Sequence, residues 1–75
     1  MKDISYKIAK NIAVLSCNSK GWTVELNEVS WNGAPAKLDV RHWDPEHTRP
    51  HKGITLSMEE AAALHKALGE VISGV

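Results

Sequence analysis

The chain has almost nothing to fasten it covalently. One of its 75 residues is cysteine, so Cys17 can form no disulfide within the chain, and the cysteine pairs of a zinc finger are missing. Phenylalanine is absent. No apolar run is long enough to span a membrane, which argues against a membrane protein. The first residues, Met-Lys-Asp-Ile-Ser-Tyr-Lys, lack the uninterrupted apolar stretch of a signal peptide. A single unpaired cysteine suits a reducing interior, and a cytoplasmic protein is expected. Charge of one sign is also lacking, since nine Lys and Arg balance nine Asp and Glu. Any attraction for a polyanion must therefore come from how the charges are distributed.

What is present is a globular balance, with 43% hydrophobic and 24% charged residues, enough for one domain over residues 1–75. A domain this short buries a low fraction of its surface and is marginal alone. With no disulfide or metal to staple it, oligomerisation is the remaining common remedy. A homodimer is expected on that ground.

Periodicity gives the order of elements. Residues 6–16 put Tyr6, Ile8, Ile12 and Val14 at even positions, a strand pattern interrupted by Lys10. Asn18-Ser19-Lys20-Gly21 is a turn. Residues 22–31 resume an extended pattern whose phase changes midway: Trp22, Val24 and Leu26 share one face, but Val29 and Trp31 have the opposite parity. A bulge near Asn27-Glu28 would reconcile the halves. Asn32-Gly33 signals a hairpin. Residues 36–43 alternate, with Leu38 and Val40 on one side and Lys37, Asp39, Arg41 and Trp43 on the other. Residues 44–51 hold two prolines and several charged or histidine residues and read as an exposed loop. Gly53–Leu56 forms a last short strand. Ser57-Met58-Glu59-Glu60 is a capping box, after which Ala61, Leu64, Leu68, Val71, Ile72 and Val75 fall on one helical face. The expected fold is α+β: a curved four-stranded antiparallel sheet followed by one C-terminal helix (ββββα).

The third strand carries the functional signal. Its non-core face should show Lys37, Arg41 and Trp43 together, cations beside an indole. Single-stranded nucleic-acid binders combine cations that follow phosphates with aromatic faces on which bases stack. Three tryptophans in so short a chain strengthen this reading. The plainer reading is that tryptophans pack in cores, Trp22 first among them through its face shared with Val24 and Leu26, and that Lys37 and Arg41 are ordinary strand residues, paired with Asp39 or Glu25. His42, His47 and His51, with Asp44 and Glu46, match no standard ligand spacing, so no metal is expected. Cys17 lacks a neighbouring base that would mark a reactive thiol. Glu59 and Glu60 are explained by capping, and no nucleotide loop or nucleophile motif occurs. A non-catalytic protein without a cofactor is expected.

The segments Asn18–Trp22, Val29-Ser30-Trp31-Asn32-Gly33, Leu38–Arg41 through Asp44-Pro45-Glu46, and Lys52–Leu56, in this order and spacing, resemble the transcriptional-coactivator family typified by eukaryotic positive cofactor, most closely its short bacterial YdbC-like branch. The resemblance covers nearly the whole chain. It implies a curved sheet, dimerisation largely through the helix, and grooves that bind single-stranded DNA with little sequence preference, in transcription or in replication and repair. It also implies nucleic-acid contacts: Arg41 at the basic position of strand three, Trp43 at the aromatic of the strand end, Lys52 before the glycine of strand four, and Trp31 near the hairpin aromatic. Lys20 and Lys37 would meet phosphates, and Trp22 would be core or platform. The chain has no serine-rich or lysine-rich tail, and His51 stands where a second basic residue is often found. The expected ligand is single-stranded nucleic acid, DNA ahead of RNA. The rivals are RNA binding by the same face, a protein-interaction module built on exposed tryptophans and, third, a metal-binding protein, which predicts stoichiometric metal in purified material.

Overall fold

A computed structural model of the protein describes residues 5–74; Val75 of the expected helical face and the first four residues lie outside that range. Four strands, β1 (Tyr6–Cys17), β2 (Thr23–Trp31), β3 (Lys37–Trp43) and β4 (Pro50–Leu56), precede one helix, α1 (Met58–Ile72). Each strand pairs antiparallel with the next in sequence, giving the sheet order β1-β2-β3-β4. The ββββα architecture is the expected one.

The first two of the three hairpin connections follow from their residues. Asn18 closes the first: its side-chain Oδ1 accepts from the amides of Lys20 (2.8 Å) and Trp22 (3.0 Å), and Gly21 takes a φ of 87°. In the second, Asn32 and Gly33 both have positive φ, 52° and 79°. The Ala34 amide donates to the Trp31 carbonyl at 2.9 Å. Asn-Gly is the favoured pair for such a turn because two consecutive residues must enter the left-handed region.

The bulge expected at Asn27-Glu28 is not there. β2 runs against β3 without a break from Thr23↔Trp43 to Val29↔Lys37. The irregularities lie in β1, where three register shifts absorb the three extra residues of a 12-residue strand lying against a 9-residue one. The change of phase in β2 has another cause: apolar side chains are buried on both sides of the sheet. Val24 and Leu26 face one side with Leu38, Val40 and Leu56. Val29 and Trp31 face the other, with Trp43. Bulges sharpen the twist and bend a strand, and here β1 curls over that second, concave side. Tyr6 pairs with Trp31 at one end of the β1–β2 ladder, yet its ring meets that of Trp43, paired at the far end of β2, with centroids 5.4 Å apart.

β4 starts three residues earlier than the sequence suggests. Pro50 opposes Trp43, with a register shift before Gly53 opposes Arg41. A proline is tolerated because β4 is an edge strand and needs no amide on its open side. Gly53 is required by closeness of approach: a Cβ there would lie 2.5 Å from the Val40 carbonyl oxygen and 2.6 Å from the Arg41 Cα.

The capping box forms as expected, with the Glu60 amide donating to Ser57 Oγ (3.0 Å) and the Ser57 amide to Glu60 Oε1 (2.8 Å). Beyond that cap α1 touches the sheet mainly at β4, and none of its residues is buried. Leu68 is 47% and Ile72 79% exposed. Between helix and sheet an almost wholly apolar cleft of about 490 Å³ opens, lined by Leu15, Leu26, Val40, Leu64 and Leu68 among others. Among the described residues no helix is long and apolar enough to cross a membrane.

Candidate nucleic-acid interface

The concave side of the sheet holds most of the chemistry. Lys37, Asp39, Arg41 and Trp43 do share one face, as alternation predicts, but that face is the inside of a curl. Trp43 is therefore not a presented ring: it is 0% exposed, covered by Tyr6 and by His47, whose imidazole stacks on it at 5.3 Å and 25°. The expectation that its indole faces a ligand is corrected, and the cause is the curl together with the loop that carries His47. The indole nitrogens of Trp31 and Trp43 are buried, and no acceptor among the described residues reaches them. These rings supply packing and π surface rather than hydrogen bonds.

The other site residues are distributed as follows. Lys20 is exposed in the first turn, and Lys37 is exposed at the start of β3. Lys52 is exposed on β4, in the stretch where the register shifts between Pro50 and Gly53, and it does not line the groove beside Arg41. Trp22 is 36% exposed and stands edge-on to His51, with centroids 4.7 Å apart. Trp31 is half-buried, and the Arg41 guanidinium carbon lies over its ring, 4.9 Å from the centroid.

Arg41 is held from three directions. Its Nε and Nη2 donate to the two oxygens of Asp39 at 2.9 and 2.8 Å, and its Nη1 donates to the His51 carbonyl at 2.8 Å. Asp39 is fully buried and also accepts from the Thr55 hydroxyl at 2.8 Å. Of the two partners open to Arg41 in the sequence, the structure selects Asp39. Glu25 anchors a second network, accepting from Thr23 (2.6 Å), Asn27 (3.1 Å) and Asn11 (3.3 Å), with His47 Nε2 at 2.8 Å. Burial of Glu25 favours its neutral form, but the hydrogen bonds from Thr23, Asn27 and His47 outweigh this and hold the carboxyl below its ordinary range. Asp44 is held well below that range, first by the Thr48 hydroxyl and then by the Thr48 and Arg49 amides, against a desolvation effect. His47 and His51 turn to separate carboxylates, Glu25 and Asp44. No three His, Cys, Asp or Glu side chains among the described residues converge as metal ligands would.

Beside Arg41 an open groove of about 500 Å³ is lined by Trp31, Asn32, Arg41, Pro50, His51 and Thr55. Sequence reading missed His51 and Thr55 as site residues. For Thr55 the signal was alternation, since with Gly53 it falls on the face of Arg41; His51 lies in the irregular stretch between Pro50 and Gly53, which alternation does not mark. Contacts run unbroken from the Trp22 ring to His51, from the His51 carbonyl to Arg41, and from Arg41 to Trp31.

A curled four-stranded meander with a capped C-terminal helix and a cation–aromatic groove defines a small α+β protein of the sheet-groove kind. Residues 18–67, from the first turn to the middle of α1, match the family model of the transcriptional coactivator p15 (PC4). The chain belongs to that family. It is also similar to an uncharacterized protein of Treponema pallidum (strain Nichols), 39% identical over 69 residues that cover 92% of this chain and 81% of that protein.

Proposed function

We propose that the protein is a homodimer that binds single-stranded DNA, without catalysis or cofactor and with little sequence preference, in transcription or in replication and repair. The observation that carries this is the open groove in which Arg41 lies over Trp31, with the Trp22 ring edge-on to His51 of its lining, in a chain of a transcriptional-coactivator family. Base stacking is worth about 1–3 kcal/mol per base and is indifferent to sequence, because every base has a π-face. Lys20, Lys37 and Lys52, all exposed, would follow phosphates. With zero net charge, stacking carries a larger share of the affinity than in a basic protein. Dimerisation is supported by α1: a 15-residue helix with no buried residue is marginal in water by itself, since helices of about 12–15 residues need tertiary or quaternary packing. An exposed, unpaired Cys17 suits a cytoplasmic setting.

The test is a titration of tryptophan fluorescence with oligo-dT at low and moderate salt. Quenching that weakens with salt, and that a duplex of equal length does not reproduce, supports the reading. An unchanged signal at low salt sinks it. Competition with a matched RNA strand separates DNA from RNA preference.

A further inference from the structure

We infer that Arg41 serves as a stacking plane for a base in the groove, and not as a phosphate-neutralising cation; this rests on the strand-binding reading above. A guanidinium can meet a nucleic acid with its edge, donating to phosphate, or with its flat face, on which a base stacks. At Arg41 most of the edge is engaged. Three of its five N–H groups go to the two Asp39 oxygens and the His51 carbonyl. Its charge is matched at 2.8 Å by a carboxylate with no solvent exposure, so little field is left for a phosphate outside. One side of the group is covered by Trp31. The remaining 14% of the side chain that solvent reaches belongs to the groove wall, between Trp31 and His51.

The surroundings fix this orientation. Asp39 is held by Thr55 from β4, and Gly53 lets β4 come close enough for the His51 carbonyl to take Nη1. Lysine at this position would keep the charge and lose the plane, which makes the two roles separable. The exposed lysines are the groups whose neutralised phosphates set the salt response.

The experiment compares wild type, Arg41→Lys, the double variant Asp39→Asn/Arg41→Gln and Lys37→Ala. Each is titrated with oligo-dT and with an abasic deoxyribose-phosphate strand of equal length, over a series of salt concentrations. The double variant removes the cation without stranding a buried carboxylate, and circular dichroism confirms folding. Arg41→Lys is expected to lose about fivefold to 150-fold affinity for oligo-dT, the range one stack supplies, and nothing on the abasic strand. Both Arg41 variants keep the wild-type slope of log affinity against log salt, whereas Lys37→Ala lowers it by about 0.7. Equal losses on both strands, or a salt slope reduced in the double variant, overturn the assignment alone. Failure of wild type to bind either strand overturns the strand-binding reading and this assignment with it.

Discussion

His47 and Glu25, 22 positions apart in sequence, meet with Nε2 2.8 Å from the carboxylate, joining the loop after β3 to the start of β2. The carboxyl is below its ordinary range in the folded chain, so its contribution to stability is present above the unfolded carboxylate pKa of about 4.3. That contribution is lost as pH falls through the depressed folded value. Asp44 acts in the same direction. Urea midpoints measured from pH 7 to pH 3 should therefore hold steady and then drop below about pH 4.5, where the unfolded carboxyls begin to take up protons. Glu25→Gln should flatten part of that drop. An identical acid limb in Glu25→Gln would show that Glu25 does not carry it.

The two ends of the tryptophan range should separate cleanly. Trp43 has no exposed surface and fills the inside of the curl against Tyr6 and His47. Truncating it to alanine should cost about 3–5 kcal/mol of stability, as large-to-small changes in cores do. Trp22 is partly exposed, and Trp22→Ala should shift the urea midpoint little while weakening oligo-dT binding. Equal stability losses in both variants would count against this division.

How far the sequence reached follows from the range of each signal. The Asn32-Gly33 turn, the Ser57 capping box and the alternation of β3 are local patterns with local causes, and each forms as read. Trp43 is different. Its burial is decided by Tyr6, 37 positions before it, and by a loop histidine, through a curl that no window of sequence contains. The bulges in β1 carry no glycine or proline to mark them. A change of phase in β2 was visible, but two half-buried faces produce it as readily as a bulge does. Pro50 and His51 read as loop because proline is poor in central strands; on an edge strand it is not.

Gly53 offers a sharp test of the β3–β4 geometry. Its added Cβ would meet backbone atoms at 2.5 and 2.6 Å, contacts that a side-chain rotation cannot relieve. Gly53→Ala should cost about 1–3 kcal/mol or more, the range of overpacked sites. It should also weaken oligo-dT binding by pushing the His51 carbonyl away from Arg41. Gly69→Ala, in a helix where an added Cβ meets nothing, should instead stabilise by about 0.5–1 kcal/mol. Chemical unfolding of both variants at one protein concentration checks the pair. A neutral Gly53→Ala would mean that β4 can stand off from β3.

The apolar flank formed by α1 and the convex side of the sheet should be where two copies meet. Leu64 and Leu68 line its cleft and are 41% and 47% exposed in a single chain. An exposed apolar surface of this kind on so small a protein marks an association site. Leu68→Glu places a charge where the second copy would exclude water, and a buried, unpaired charge costs several kcal/mol. Wild type should sediment as a dimer, and the variant as a monomer at the same concentration. Because α1 packs so little beyond its cap and its contacts with β4, its helical circular dichroism should fall as well, and wild-type melting should rise with protein concentration. The groove around Arg41 lies on the opposite side of the sheet, so any residual oligo-dT binding by the monomer should keep its tryptophan quenching. Wild type that sediments as a monomer and melts independently of concentration would remove the second copy from the reading and leave α1 without a partner.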